Sequence, residues 1–169
     1  MNSGLKTKRT RLRRGDIFEF STTDGRLAYG VVLTPGGVLN VLFLKTLHAS
    51  RPTVEMLFED DIALVGTTMD ALFYHKHWVV IGRDFPVPPD LPRPNWKIAI
   101  DGQLHTTDFE GESLGPIRAD EIELLDYKSS FAPIMFQDAL EALNGIGEWR
   151  EAYEPLTPAY AKCRMTRIR

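Results

Sequence analysis

Asp24-Gly25 lies between two strand-like runs, Gly15-Asp16-Ile17-Phe18-Glu19-Phe20 before it and a segment reaching Tyr29-Gly30 after it. A two-residue type I′ turn needs positive φ at both central positions, and Asp-Gly is among the pairs that supply it most readily. With Asp24 and Gly25 as that turn, Thr22 faces Leu27, Phe20 faces Tyr29 and Phe18 faces Val31. These pairs share one face and coat it with apolar surface. Glu19 opposite Gly30 and Ser21 opposite Ala28 make the other face small and mostly polar. The pattern predicts the first hairpin of a sheet buried on one side.

The rest of the chain extends that sheet. Thr34-Pro35-Gly36-Gly37 is a second tight turn, leading into Val38–Leu44, an apolar run broken only by Asn40. Seven large or β-branched residues between turn signals read as a central strand, so three early strands form a meander. The stretch His48-Ala49-Ser50-Arg51-Pro52 breaks the pattern; a short helix capped by Thr53 follows, with Val54, Met56 and Leu57 inward. Ile62 to Gly66 reads as a fourth strand, and Trp78 to Ile81 as another that Gly82 ends. Residues 86–94 hold five prolines and form an extended crossing within the domain rather than a linker. Asp101-Gly102 repeats the opening device, with Ile100 opposite Gln103 and Ile98 opposite His105. Ile122, Leu124 and Leu125 suggest one more strand. Pro133 at a first turn, Phe136, Ala139, Leu140 and Leu143 at helical spacing, and Gly145 beyond the end define a helix. The fold class is α+β: a mainly antiparallel sheet, built as a meander of hairpins, with one or two helices packed on it. Residues 14–154 are the single domain, flanked by basic tails over 1–13 and 155–169.

Charge narrows the function. A net charge of −3 hides a strong segregation, because residues 15–154 hold all 23 acids and 10 of the 20 bases, a net of −13. Such a body repels nucleic acid and favours a cationic partner, and the basic ends read as solvated tails. No run approaches the ~20 apolar residues of a membrane span. The polar, basic N-terminus is unlike a secretory signal. One cysteine, Cys163, leaves no intrachain disulfide and no cysteine cluster for zinc. A reducing cytoplasm is the setting these features favour.

Few residues point to catalysis. His75 and His77 are two apart, so on one strand they would share a face, with His105 or an acid available to complete a metal shell. Ordinary packing beside Trp78 explains them as well, and no metal or cofactor is assigned. No nucleophile elbow, phosphate-binding loop, zinc-protease helix or dinucleotide fingerprint is present. Carboxylates are abundant: Glu59-Asp60-Asp61, then Asp108, Glu110, Glu112, Asp120, Glu121, Glu123 and Asp126 against Arg118 alone. They read as a binding surface rather than an acid–base pair, with Glu59, Asp60, Asp61, Glu110, Glu112, Asp120, Glu121, Glu123 and Asp126 as the candidate partner contacts.

The opening motif, Arg14-Gly15-Asp16-Ile17-Phe18-Glu19-Phe20 followed by Asp24-Gly25-Arg26-Leu27-Ala28-Tyr29-Gly30, resembles the start of the immunity protein 26 family, whose members guard bacteria against polymorphic toxins. Trp78-Val79-Val80-Ile81-Gly82 is similar to that family's central Trp-x-Ile-Ile-Gly segment. The family's usual Pro-Leu before the turn is Ser21-Thr22 here. The resemblance spans roughly residues 14–82 and implies a cytoplasmic, non-enzymatic protein that binds one cognate toxin and blocks it. Two alternatives stand beside it. An Arg-Gly-Asp-Ile start also occurs in small SH3-like barrel toxins that cleave messenger RNA, and the basic tails would suit a nucleic-acid adaptor. The acidic body favours toxin neutralisation over both.

Overall fold

The structure, a computed structural model, describes residues 11–165. Its centre is a five-stranded antiparallel sheet of β1 (Ile17–Ser21), β2 (Leu27–Thr34), β3 (Val38–Leu44), β4 (Ile62–Met69) and β5 (Val79–Gly82), in the order β4-β3-β2-β1-β5. The first four strands form the expected meander, and β5 returns to lie beside β1. Helices α1 (Val54–Phe58) and α2 (Ala71–Tyr74) sit in the connections. A three-stranded sheet follows: β6 (Trp96–Ile100), β7 (Gln103–Thr107) and β8 (Ser113–Pro116). Helix α3 (Pro133–Leu143), a 3-10 helix over Glu151–Leu156 and helix α4 (Pro158–Cys163) complete the described chain. No helix among the described residues is long and apolar enough to cross a membrane.

The first hairpin forms one residue out of the expected register. Ser21 pairs with Leu27, Phe20 with Ala28, Glu19 with Tyr29 and Phe18 with Gly30. Asp24 is not at positive φ; Gly25 alone is, at 84°. Thr22 and Arg26 close a three-residue loop, through Thr22 N to Arg26 O at 2.8 Å and Gly25 N to Thr22 O at 2.9 Å. The Thr22 hydroxyl donates within this loop, 2.8 Å from Asp24 Oδ1 and 2.9 Å from Arg26 O. A three-residue loop ending in left-handed glycine competes with the type I′ turn, and these side-chain bonds favour it here. Asp101 and Gly102, at φ 49° and 80°, do form the two-residue turn, and Ile100–Gln103 and Ile98–His105 pair as expected.

That one-residue shift turns Tyr29 and Val31 to the face opposite Phe18 and Phe20. The sheet is therefore buried on both sides rather than one. On one face Phe18, Phe20, Phe43, Phe73 and Trp78 pack with Phe136, Ala139 and Leu140 of α3. The rings of Phe18 and Trp78 stack at 4.7 Å, and those of Phe43 and Phe136 at 5.0 Å. On the other face Ile17, Tyr29, Val31, Leu42 and Leu44 meet Leu57 of α1, Phe85, Leu91 and Phe109. Each fully buried side chain of this size contributes roughly 1.5–3 kcal/mol of transfer free energy.

Asn40, the polar interruption in β3, is buried and bonded on both sides. Its Nδ2 donates to Phe109 O at 3.1 Å, and its Oδ1 accepts from Thr67 Oγ1 at 2.8 Å. It ties the loop after β7 to the central sheet, which satisfies a polar group that would otherwise cost free energy in the interior.

Other expectations need correction. In α1 Leu57 is buried and Val54 half-buried, but Met56 faces solvent, and Thr53 makes no side-chain cap bond. Ile122, Leu124 and Leu125 form turns rather than a strand, with Leu125 inward and Leu124 outward. In α3 Phe136, Ala139 and Leu140 are buried, while Leu143 is exposed. His75 caps α2 and His77 lies in the following turn, both exposed, so they do not share a strand face. Among the described residues no three metal-ligating side chains converge. The chain from 155 to 164 packs on the body, with Leu156 and Ala161 buried, because residues 155–161 are mostly apolar and the bases Lys162 and Arg164 follow them. Most of the predicted N-terminal tail, residues 1–10, lies outside the described residues, as do residues 166–169 of the C-terminal one. Residues 83–95, with neither helix nor strand, make the extended proline crossing, anchored by buried Phe85 and Leu91.

Candidate functional site

The predicted contact acids divide into two groups with different fates. Glu59 caps the end of α1, and Glu59 and Asp61 are exposed. Asp60 is partly engaged: its carboxylate accepts from Thr46 N at 3.0 Å and Thr46 Oγ1 at 2.8 Å. Asp60 and Asp61 border an open cleft of about 290 Å³, and the proline crossing supplies the other wall with Pro88, Asp90, Leu91 and Pro92. Pro158, the first residue of α4, also lines it. Three acidic residues thus share the cleft with Ile62, Leu91 and three prolines. Proline fixes φ, so this wall loses little freedom when something binds against it.

The acids of 110–126 are mostly engaged with their own chain. Glu110 faces Arg93 at 3.5 Å, and Asp120 takes a bidentate grip from Arg118 at 2.6 and 3.1 Å. Glu121 is buried and accepts from Thr106 Oγ1 at 3.1 Å and Arg118 N at 3.3 Å. Asp126 accepts from the Tyr160 hydroxyl at 2.7 Å and lies 3.6 Å from Arg164. That bond and burial together hold the Tyr160 phenol above its usual range, burial being the larger cause. Glu112 and Glu123 face solvent. Local sequence shows the charge of this stretch but not its partners, since Arg93, Thr106, Tyr160 and Arg164 all come from elsewhere in the chain.

One polar cluster escapes sequence reading altogether. Glu19, on the middle of β1, accepts from Tyr29 Oη at 2.7 Å, from Arg51 Nε at 2.8 Å and from Arg51 Nη2 at 2.6 Å. The Arg51 guanidinium holds the Glu19 carboxyl below the usual carboxylate range, against the opposing effect of burial and with help from the Tyr29 hydroxyl. Burial first, and then the Glu19 carboxylate, push the Tyr29 phenol well above its usual range. His48 packs edge-on against the Tyr29 ring at 5.6 Å. This ion pair fastens the irregular segment after β3 onto the sheet. With the observed register, Glu19 opposite Tyr29 is the one signal that could have suggested it.

Residues 13–104, just over half of the chain, match the family model described as Immunity protein 26. The chain belongs to the Immunity protein 26 family. No curated protein matches it, and no solved structure does. The matched span of this immunity protein takes in the whole five-stranded sheet, the Glu19–Tyr29–Arg51 cluster and all three acids of the cleft. It ends within β7, so the acids of 110–126 lie beyond it.

Proposed function

We propose that this immunity protein binds a cognate antibacterial toxin domain and neutralises it by occlusion, without turning over a substrate. The observation that carries the reading is the cleft lined by Asp60, Asp61 and Asp90 together with prolines and Leu91, most of it inside the span that matches the family. The proline-rich apolar lining gives a partner something to bury, and the carboxylates beside it choose a cationic one. Across the whole body, the excess of acids speeds encounter with such a surface by electrostatic steering. Glu59 and the solvent-facing Glu112 and Glu123 extend the anionic field. Glu121, which is buried, acts within the fold, while Glu110, Asp120 and Asp126 pair with cations of their own chain but keep side-chain surface in solvent. The same reading puts its site of action in the cytoplasm, where a toxin directed at intracellular targets would be met.

Co-expression tests it. The gene neighbourhood is read for a large multidomain toxin immediately upstream, the protein is produced together with that toxin's C-terminal domain, and growth is followed with the two purified from one lysate. Protection with a co-purifying complex supports the reading. Growth arrest equal to toxin alone, with no complex, overturns it.

A further inference from the structure

The fifth strand offers a second contact. β5 pairs with β1 alone, and among the described residues no backbone group beyond β1 bonds to Val79, Val80 or Ile81. Its outer edge is an unfilled ladder. A cleft of about 260 Å³ lies there, lined by Phe73, Lys76, Trp78, Val79 and Val80. Successive strand side chains point to opposite faces, so a cleft touching both Val79 and Val80 runs along the strand's edge rather than over one face. Val79 is half exposed, at 49%.

Charge says what fits. In a body of net −13, the span from Ala71 to Arg83, which lies between Asp70 and Asp84, holds no acid of its own and carries Lys76 and Arg83 with His75 and His77. All four are exposed. Arg83 is 3.7 Å from Asp16 but keeps 58% of its side chain in solvent. A second copy of this chain is a poor occupant. Antiparallel pairing of β5 with itself about a two-fold axis brings the Lys76 end of one strand to the Arg83 end of the other, cation against cation. Positive residues at a short edge discourage self-pairing, and the same charges select an anionic strand.

We propose that an extended acidic segment of the bound toxin adds to β5 as a sixth strand, laying an apolar side chain into the cleft beside Val79 and Val80 and a carboxylate at Lys76. This rests on the toxin-neutralising reading above and adds where one part of the partner lies. Strand addition of this kind draws affinity from main-chain bonds and specificity from alternate side-chain pockets.

The test uses the full chain and the toxin domain. Amide hydrogen exchange is followed at Val79 to Gly82 with and without toxin, and binding is compared for wild type, Lys76→Glu and Lys76→Gly. Lys76 has φ 59°, which glycine adopts freely, so Lys76→Gly removes the charge while keeping the backbone. Thermal midpoints of both variants show that the fold is intact. The expected result is at least about tenfold slower exchange at β5 in the complex, with binding about tenfold weaker for Lys76→Glu and intermediate for Lys76→Gly. Toxin that binds while β5 exchange is unchanged overturns this inference and leaves neutralisation standing. Toxin that fails to bind wild type removes both.

Discussion

Arg51 grips Glu19 with two nitrogens at 2.6 and 2.8 Å, joining a guanidinium that is 62% exposed to a carboxylate that is 11% exposed. Tyr29 adds a third bond from within the sheet. A carboxylate so placed stays ionised in the folded protein at pH values where the unfolded chain takes up a proton. The unfolded state therefore binds more protons, and stability falls as pH drops through the carboxylate range. Glu19→Gln should flatten the acid side of the stability profile, with wild type and variant converging below the Glu19 titration. Tyr29→Phe, which removes one bond to a buried charge, should cost about 1–3 kcal/mol at neutral pH. Urea unfolding at several pH values checks both. A Glu19→Gln profile parallel to wild type contradicts the assignment.

Gly30 lies beneath the Phe18 ring. A Cβ there would collide with Phe18 Cζ and sit 2.8 Å from Leu42 O. The ring is held by Phe43, Phe73 and Trp78 and has nowhere to go. Gly30→Ala should destabilise by about 1–3 kcal/mol through overpacking, lowering the thermal midpoint by several degrees. An unchanged midpoint means that the aromatic cluster is looser than its geometry.

Leu156 is fully buried and stands 3.6 Å from the position a Cβ on Gly66 would take. Leu156→Ala should cost about 2–5 kcal/mol, and ending the chain at residue 154 should cost more, since Ala161 is lost too. Chemical denaturation measures both. If truncation leaves stability unchanged, residues 155–164 are the appendage that their basic composition suggests.

The legible parts of this fold were those decided locally. Val38–Leu44 reads as a strand because it is a run of large apolar residues between turns, broken only by Asn40. Asp101-Gly102 forms its two-residue turn because nothing nearby competes. At Asp24-Gly25 the same dipeptide was outcompeted by the Thr22 hydroxyl and the Asp24 carboxylate, and a one-residue slip moved Tyr29 across the sheet. Long-range pairing was invisible for the same reason. Glu19 and Arg51 are 32 positions apart, and Tyr160 meets Asp126 across 34. The candidate site shows both cases. Glu59-Asp60-Asp61 stood out as charge, but Asp90, inside a run of prolines, becomes its companion only when that run folds back along the cleft.

The cleft itself gives the sharpest measurement. Asp61 and Asp90 are exposed and make no ion pair in the described structure, so Asp61→Lys with Asp90→Lys changes the surface without disturbing the fold. Association of the purified toxin domain is followed by stopped flow for wild type and double variant across a range of salt. The account predicts that reversal slows association by about tenfold or more at low salt and flattens its salt dependence. Association and salt dependence identical to wild type, with toxin still bound, would contradict the claim that these carboxylates receive it.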